Sequence, residues 1–326
     1  MKKLFAVNVL VLAGLSVLGL GAIEAWLRLT VPSSSNDTIY AYTLDTKRYK
    51  VMKANAAMTA WGRELKTNEL GFRDRAVAPK QAGEFRVVVL GDSFTVSAGV
   101  DQDRVFTSLM EKSRLDTRVI NLGVGGYNIV QYALVLQEVG LALKPDLVLV
   151  ALFPDNDFTS DTYEANYRVA AGQASAEPER AWYESLYAYR AYGTRLETKL
   201  NALLPKKSAP SRPSTSWRDN VAALKSIVAL TRDRGIALEV VLLPHTWNFE
   251  KQRPLFARVH KECTSLGLAC RDLLEPLIAR GVVESSLRLN PLDAHPNERY
   301  NALVAEELVK LLPARGPLVR TGGPAR

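Results

Sequence analysis

The segment Arg86-Val87-Val88-Val89-Leu90-Gly91-Asp92-Ser93-Phe94-Thr95 decides the fold. Its first half is an apolar run rich in valine, the pattern of a strand buried on both faces, as in a parallel sheet. The run stops at Gly91-Asp92-Ser93, a turn that lifts one hydroxyl to the edge of the sheet. In open α/β sheets that edge is where ligands bind. Ser93 is therefore a candidate nucleophile, provided the chain supplies a base and an oxyanion site.

Working outward, Thr117 to Leu122 and Asp146 to Leu152 read as second and third strands. Helices are expected between them, one taking in Val105 to Lys112 and one over Ile129 to Leu143, whose apolar spacing fits a face packed on a sheet. A helix from Trp217 to Arg234, capped by Ser216 and ended by Gly235, precedes a fourth strand, Ala237 to Leu243. A helix over Pro254 to Ser265, a short strand over Leu268 to Leu273 and a helix from Glu298 to Leu312 complete the pattern. Such alternation implies an α/β fold with a parallel sheet and right-handed crossovers.

The chain has three histidines, His245, His260 and His295. His295 lies in Leu292-Asp293-Ala294-His295-Pro296-Asn297, with Asp293 placed to bond the imidazole and hold its tautomer. Pro296 favours an extended backbone at His295, so the ring is expected to project from a loop. His245 sits at the end of the fourth strand, where it either lines the pocket or is an ordinary loop histidine. His260 falls in a helix and reads as structural. Oxyanion donors are available at two strand ends. Glycine lets a backbone N–H approach a ligand closely, and Asn121-Leu122-Gly123-Val124-Gly125-Gly126 follows the second strand. Asn156, in Pro154-Asp155-Asn156-Asp157 after the third strand, carries a side-chain amide.

These blocks, in this order, resemble the SGNH (GDSL-type) hydrolase superfamily over roughly residues 85 to 312. The resemblance implies a three-layer, flavodoxin-like sandwich around a central parallel sheet. It implies Ser93 as nucleophile, His295 as base and Asp293 as its orienting acid. It implies an oxyanion hole of the Ser93 amide, the Gly126 amide and the Asn156 side chain, with Gly125 or Gly123 as alternatives to Gly126. Asp92, Asp157 and His245 would line the pocket. Two departures stand out: Asp155 replaces the glycine usual before Asn-Asp, and the last block is Asp-x-His rather than Asp-x-x-His. The activity implied is ester hydrolysis through an acyl-enzyme, removing acyl or acetyl groups from a cell-envelope or extracellular carbohydrate or lipid ester. Two alternatives stay open, an O-acetyltransferase acting on an exported glycan and a non-catalytic glycan-binding protein on a hydrolase scaffold. No cofactor is required.

The N-terminus speaks to location. Met1-Lys2-Lys3 precedes Leu4 to Ala22, an uncharged stretch with a single Asn. Its length suits a transmembrane helix, and the two lysines favour a cytoplasmic start. The reading is a signal anchor over 1–30, with a cleaved signal peptide as the alternative, and a catalytic domain outside the cytoplasm, on the periplasmic or extracellular face. Residues 31–84 read as a linker and an extension packed on the core. In that extension Tyr40, Tyr42, Tyr49 and Val51 suggest short strands. Asn68-Glu69-Leu70-Gly71-Phe72-Arg73-Asp74 resembles a segment of membrane-anchored members of the superfamily. There Arg73 would meet a substrate anion or form a structural salt bridge. The hydrolase domain spans 85–313. Within it, 158–216 is a helical insertion with Tyr183, Tyr187, Tyr189 and Tyr192, serving as a lid or packed on the core, followed by a mobile Pro/Ser/Lys-rich linker. Residues 314–326 read as a disordered tail.

Composition bounds less. The chain has 326 residues, 47% of them hydrophobic, and a net charge of +8. The basic residues are scattered and no basic helix is interleaved with aromatics, which argues against nucleic acid. An anionic membrane or acidic polysaccharide suits the surplus, as does simple solubility. Cys263 and Cys270 are the only cysteines, fit for one small disulfide loop in an oxidising compartment or for two buried thiols. No Cys/His set suits structural zinc.

Overall fold

A computed structural model describes residues 2–30, 40–42, 50–158, 186, 189, 217–291 and 293–312. The expected linker after residue 30, nearly all of the helical insertion with its tyrosines, the Pro/Ser/Lys-rich stretch and the tail lie outside the described residues. Helix α1 (Lys2–Thr30) runs for 29 residues. Some of its side chains are outside the described set, and among the described residues no helix is long and apolar enough to cross a membrane.

Two antiparallel ribbons follow. Strands β1 (Tyr40–Tyr42) and β2 (Lys50–Met52) pair, as do β3 (Ala57–Ala60) and β4 (Arg63–Lys66). The second ribbon has no counterpart in the sequence reading. It closes through the two-residue turn Trp61-Gly62, both at positive φ.

The core then builds in order: β5 (Phe85–Gly91), α2 (Ser93–Val96), α3 (Phe106–Lys112), β6 (Thr117–Asn121), α4 (Ile129–Glu138), β7 (Leu147–Leu152), α5 (Pro154–Asp157), α6 (Trp217–Arg232), β8 (Ala237–Leu242), α7 (Phe249–Ser265), β9 (Cys270–Asp272) and α8 (Leu274–Ala279). Strands β10 (Arg288–Asn290) and β11 (Asp293–Pro296) and helix α9 (Glu298–Val309) close the chain. The five-stranded sheet has the order β6-β5-β7-β8-β9 with every pairing parallel. This is the flavodoxin-like doubly wound order, whose reversal point lies at the first strand. The chain leaves β5 in one direction for β6 and recrosses it to reach β7. Right-handed crossovers therefore put α3 and α4 on opposite faces. Helix α9 packs beside α3, and α6 beside α4, which completes three layers. Val87, Val88, Val89 and Leu90 of β5 are fully buried, as expected of a strand covered on both sides.

Four expectations need correction. His295 does not project from a loop. It lies in β11, paired antiparallel with β10, because the extended backbone that Pro296 imposes also suits a strand. Helix α7 begins at Phe249 rather than Pro254. The Asn248 side chain caps it by accepting from the Lys251 N–H (3.2 Å), and Pro254 is carried inside. The helix expected through Leu143 stops at Glu138, and a 3₁₀ turn covers Gly140–Leu143. Arg73 forms no salt bridge among the described residues. It is fully buried and donates to the carbonyls of Val96 (2.7 Å), Ser97 and Val100. Burial lowers its pKa to about 10, against the raising charge of Asp101.

The neighbouring residues form a latch. Asn68 Oδ1 accepts from the Leu70 and Phe72 N–H groups (3.0 and 3.1 Å), and Gly71 has φ +77° where a Cβ would run into the Met52 carbonyl. Asp74 accepts from the Asn121 N–H and from Arg118, each at 2.8 Å. The extension thus grips both the segment after Ser93 and the end of β6. The two cysteines form a disulfide, Cys263–Cys270, joining α7 to β9.

Candidate active site

Ser93 stands where β5 ends. A side chain at Gly91 would overlap Thr95, so only glycine lets the backbone turn this tightly. Asp92 Oδ1 accepts from the Phe94 N–H at 2.8 Å and starts the single helical turn α2, whose first residue is Ser93. Ser97, at φ 49°, ends it. Ser93 is half-buried at the C-terminal edge of the sheet.

His295 reaches this edge from β11, which packs against α2. Its Nδ1 lies 2.7 Å from Asp293 Oδ1, and its backbone N–H donates to the same oxygen at 2.9 Å. The Phe94 ring, next to Ser93 in sequence, lies 6.1 Å from the imidazole. Burial works to lower the His295 pKa. The hydrogen bond and charge of Asp293, joined by the charge of Asp92, outweigh it and hold His295 above the ordinary histidine value. Burial likewise works to raise Asp293. The bonds from His295 and Trp61 and the His295 charge hold it below the usual carboxylate value. With Nδ1 bonded to Asp293, Nε2 is the nitrogen left for a substrate or a hydroxyl.

Three groups could stabilise a developing oxyanion. Among the described residues, the N–H groups of Ser93 and Gly126 donate to no protein acceptor. Gly126 has φ +79°, and its loop is tied to the β5 end by the Val124 N–H on the Gly91 carbonyl (3.0 Å). Gly123 is not available, because its N–H donates to Asn121 Oδ1 at 2.9 Å. Asn156, in α5, uses both amide hydrogens: Nδ2 donates to the Tyr127 carbonyl at 2.9 Å and to Asp92 Oδ2 at 3.2 Å. To reach an oxyanion it must give up or share the longer bond.

The proposed pocket residues separate into two kinds. Asp92 and Asp157 are buried beneath the site rather than lining it. Asp157 accepts from the Tyr132 hydroxyl (2.8 Å) and the Phe153 N–H (2.7 Å). Burial raises Asp92 to about 6, opposed by the Phe94 N–H, His295 and Asn156. Burial and then the Asp92 charge raise Asp157 well above the usual carboxylate value. His245 does join the aromatic wall. Its ring stacks on Phe153 at 5.4 Å, and Phe153 stacks on Phe94 at 4.0 Å. Burial lowers His245 to about 4, against the Asp155 charge and with that of His295, so it is neutral at physiological pH. Its Nδ1 is buried with no hydrogen-bond partner among the described residues. His260 lies apart, 3.4 Å from Asp272. Among the described residues no cluster of His, Cys, Asp and Glu could hold a metal ion.

Sequence reasoning missed Trp61. Its indole Nε1 donates to Asp293 Oδ2 at 2.7 Å, and its ring lies 5.6 Å from the imidazole. The available signal was the dipeptide Trp61-Gly62 between two short runs, which marks a turn but not its destination.

No protein-family model matches the chain, and no curated protein does. Several solved structures are similar at low identity. An acetyl xylan esterase superposes with a TM-score of 0.45 at 14% identity, over 70% of this chain and 100% of the other. A psychrotrophic esterase from Pseudoalteromonas sp. gives 0.43 at 12% identity, over 70% and 96%. A GDSL-like lipase from Bacteroides thetaiotaomicron gives 0.41 at 18% identity, over 72% and 93%.

Proposed function

We propose that this chain is a serine esterase that works through an acyl-enzyme, with Ser93 as nucleophile, His295 as base and Asp293 as orienting acid. What supports the reading is a half-buried serine at a strand end, in a helical turn packed against the strand that carries an Asp-bonded imidazole, with two backbone N–H groups that meet no acceptor among the described residues. The Ser93 hydroxyl attacks an ester carbonyl as His295 Nε2 takes its proton. The charge on the former carbonyl oxygen is met by the Ser93 and Gly126 N–H groups and by the Asn156 amide. His295 returns the proton to the departing alcohol, leaving an acyl-Ser93. Water, deprotonated by His295, then releases the acid and restores the serine. The acyl group in this reading is small, such as acetyl, carried on a carbohydrate or lipid of the cell envelope.

The location belongs to the same proposal. Helix α1 is about 44 Å long at 1.5 Å per residue. Val11, Leu12, Leu15, Val17, Leu18 and Leu20 stand exposed along it. Lys2 and Lys3 precede this apolar stretch. These features support a tether with the catalytic domain outside the cytoplasm, where the Cys263–Cys270 disulfide would persist.

The test uses the full-length chain in detergent with nitrophenyl acetate and a fluorophosphonate probe. The wild type is expected to turn over the ester and to be labelled at Ser93. Ser93→Ala is expected to lose both while melting at the same temperature. An active or labelled Ser93→Ala variant would overturn the assignment.

A further inference from the structure

We propose that Trp61 is a positioning residue of this centre, holding the second oxygen of the Asp293 carboxylate so that the first stays on His295. The inference rests on the esterase reading above. Asp293 Oδ1 takes two hydrogen bonds, both from His295: Nδ1 at 2.7 Å and the backbone N–H at 2.9 Å. Those bonds tie the carboxylate only to its own ribbon, β10–β11. Oδ2 is held from elsewhere, by Trp61 Nε1 at 2.7 Å, from a residue 232 positions earlier. An N–H donating to a carboxylate at this distance is a strong, directional bond. With both oxygens occupied, the carboxylate cannot rotate about its Cβ–Cγ bond, and the imidazole keeps one tautomer and one plane. The indole also covers one side of His295, at 5.6 Å and 50° between ring planes.

The ribbon that presents Trp61 is itself braced. Arg63, two residues on, pairs with Asp101 at 2.6 Å and with Glu298 at 3.6 Å. Those partners lie after α2 and at the start of α9, so the ribbon is referenced to both elements that flank the centre. Trp61 is 9% exposed at the tip of a turn, where side chains ordinarily face water. It also sits at φ 48°, a left-handed backbone that asparagine or glycine enters at lower cost. A large aromatic held in that conformation and turned inward onto an ionised carboxylate is strain of the sort found at functional sites.

The test is a double-mutant cycle in the full-length chain, with kcat and KM for nitrophenyl acetate and melting temperatures recorded together. Trp61→Phe keeps a ring and removes the N–H. It is expected to lower kcat about ten- to a hundredfold with KM changed less than about twofold. In an Asp293→Ala background the same change is expected to cost nothing further, because Trp61 acts through that carboxylate. An unchanged kcat, or an equal loss in both backgrounds, would overturn the proposal in favour of a packing role. If Trp61→Phe does not melt cooperatively, Trp61→Tyr takes its place. A second readout needs no turnover: the His295 titration by NMR in Ser93→Ala protein. There Trp61→Phe is expected to move the midpoint by at least about 0.3 pH, and an unmoved midpoint counts against the proposal. A wild type that neither hydrolyses ester nor takes the probe would sink the esterase reading instead, and the titration alone would then decide the role of Trp61.

Discussion

Replacing Asn156 by alanine should damage both turnover and stability, and the structure says by how much. The amide donates two buried hydrogen bonds, to the Tyr127 carbonyl at 2.9 Å and to Asp92 Oδ2 at 3.2 Å. Removing it leaves a neutral and a charged acceptor short of a partner, a loss of about 2–4 kcal/mol in stability. For a domain of this size that lowers the melting temperature by roughly 5–15 °C. The catalytic loss is separate. In the proposed mechanism the amide moves its longer bond from Asp92 to the oxyanion, and losing one such donor costs about 10²–10³ in kcat. The assay is kcat on nitrophenyl acetate well below the variant's melting temperature, beside a thermal melt. A variant that melts lower but keeps kcat within about threefold would refute the oxyanion role and leave Asn156 as a strut between Asp92 and the loop at Tyr127.

Three further outcomes complete the set. Because Asp293 and Asp92 hold His295 above 6.5, kcat/KM should fall as pH is lowered through a midpoint above that value, since only the neutral imidazole accepts the Ser93 proton. His245, at about 4, stays neutral across this range and adds no step. Asp293→Asn should move the midpoint downward and reduce kcat, and a pH profile with its limb at or below 6.5 in the wild type would contradict the electrostatics. Arg73→Ala should cost at least about 3 kcal/mol by denaturant unfolding, because three buried carbonyls lose their donor; a change below about 1 kcal/mol would show that they find other partners.

Much of the fold was legible because local pattern and tertiary role coincide. The valine run of β5 is apolar on both faces, and the structure covers both faces with helices. Ser93, Asn156 and Gly126 each follow a strand, so naming the strands named their edge of the sheet. Asp293 and His295 were legible because their bond is local, within two residues. What escaped were contacts made across the chain. Arg73 read as a partner for an anion or a carboxylate, yet its two terminal nitrogens donate to carbonyls some 23 to 27 positions away. Asn156 looked like a free amide, but its two partners lie 64 and 29 positions earlier.

The sequence by itself determined the succession of the five central strands and their main helices along the chain, and the chemical identities gathered at their ends, because hydrophobic periodicity and turn chemistry are properties of neighbouring residues. Only the tertiary structure decided which of those groups are free to act and which are already bonded. It brought Trp61 to Asp293, sank Asp92 and Asp157 beneath the site, and left the Ser93 and Gly126 N–H groups with no acceptor among the described residues. Hydrogen-bond capacity is shared among atoms distant in sequence, so no reading of one segment can tell whether its donors are already taken.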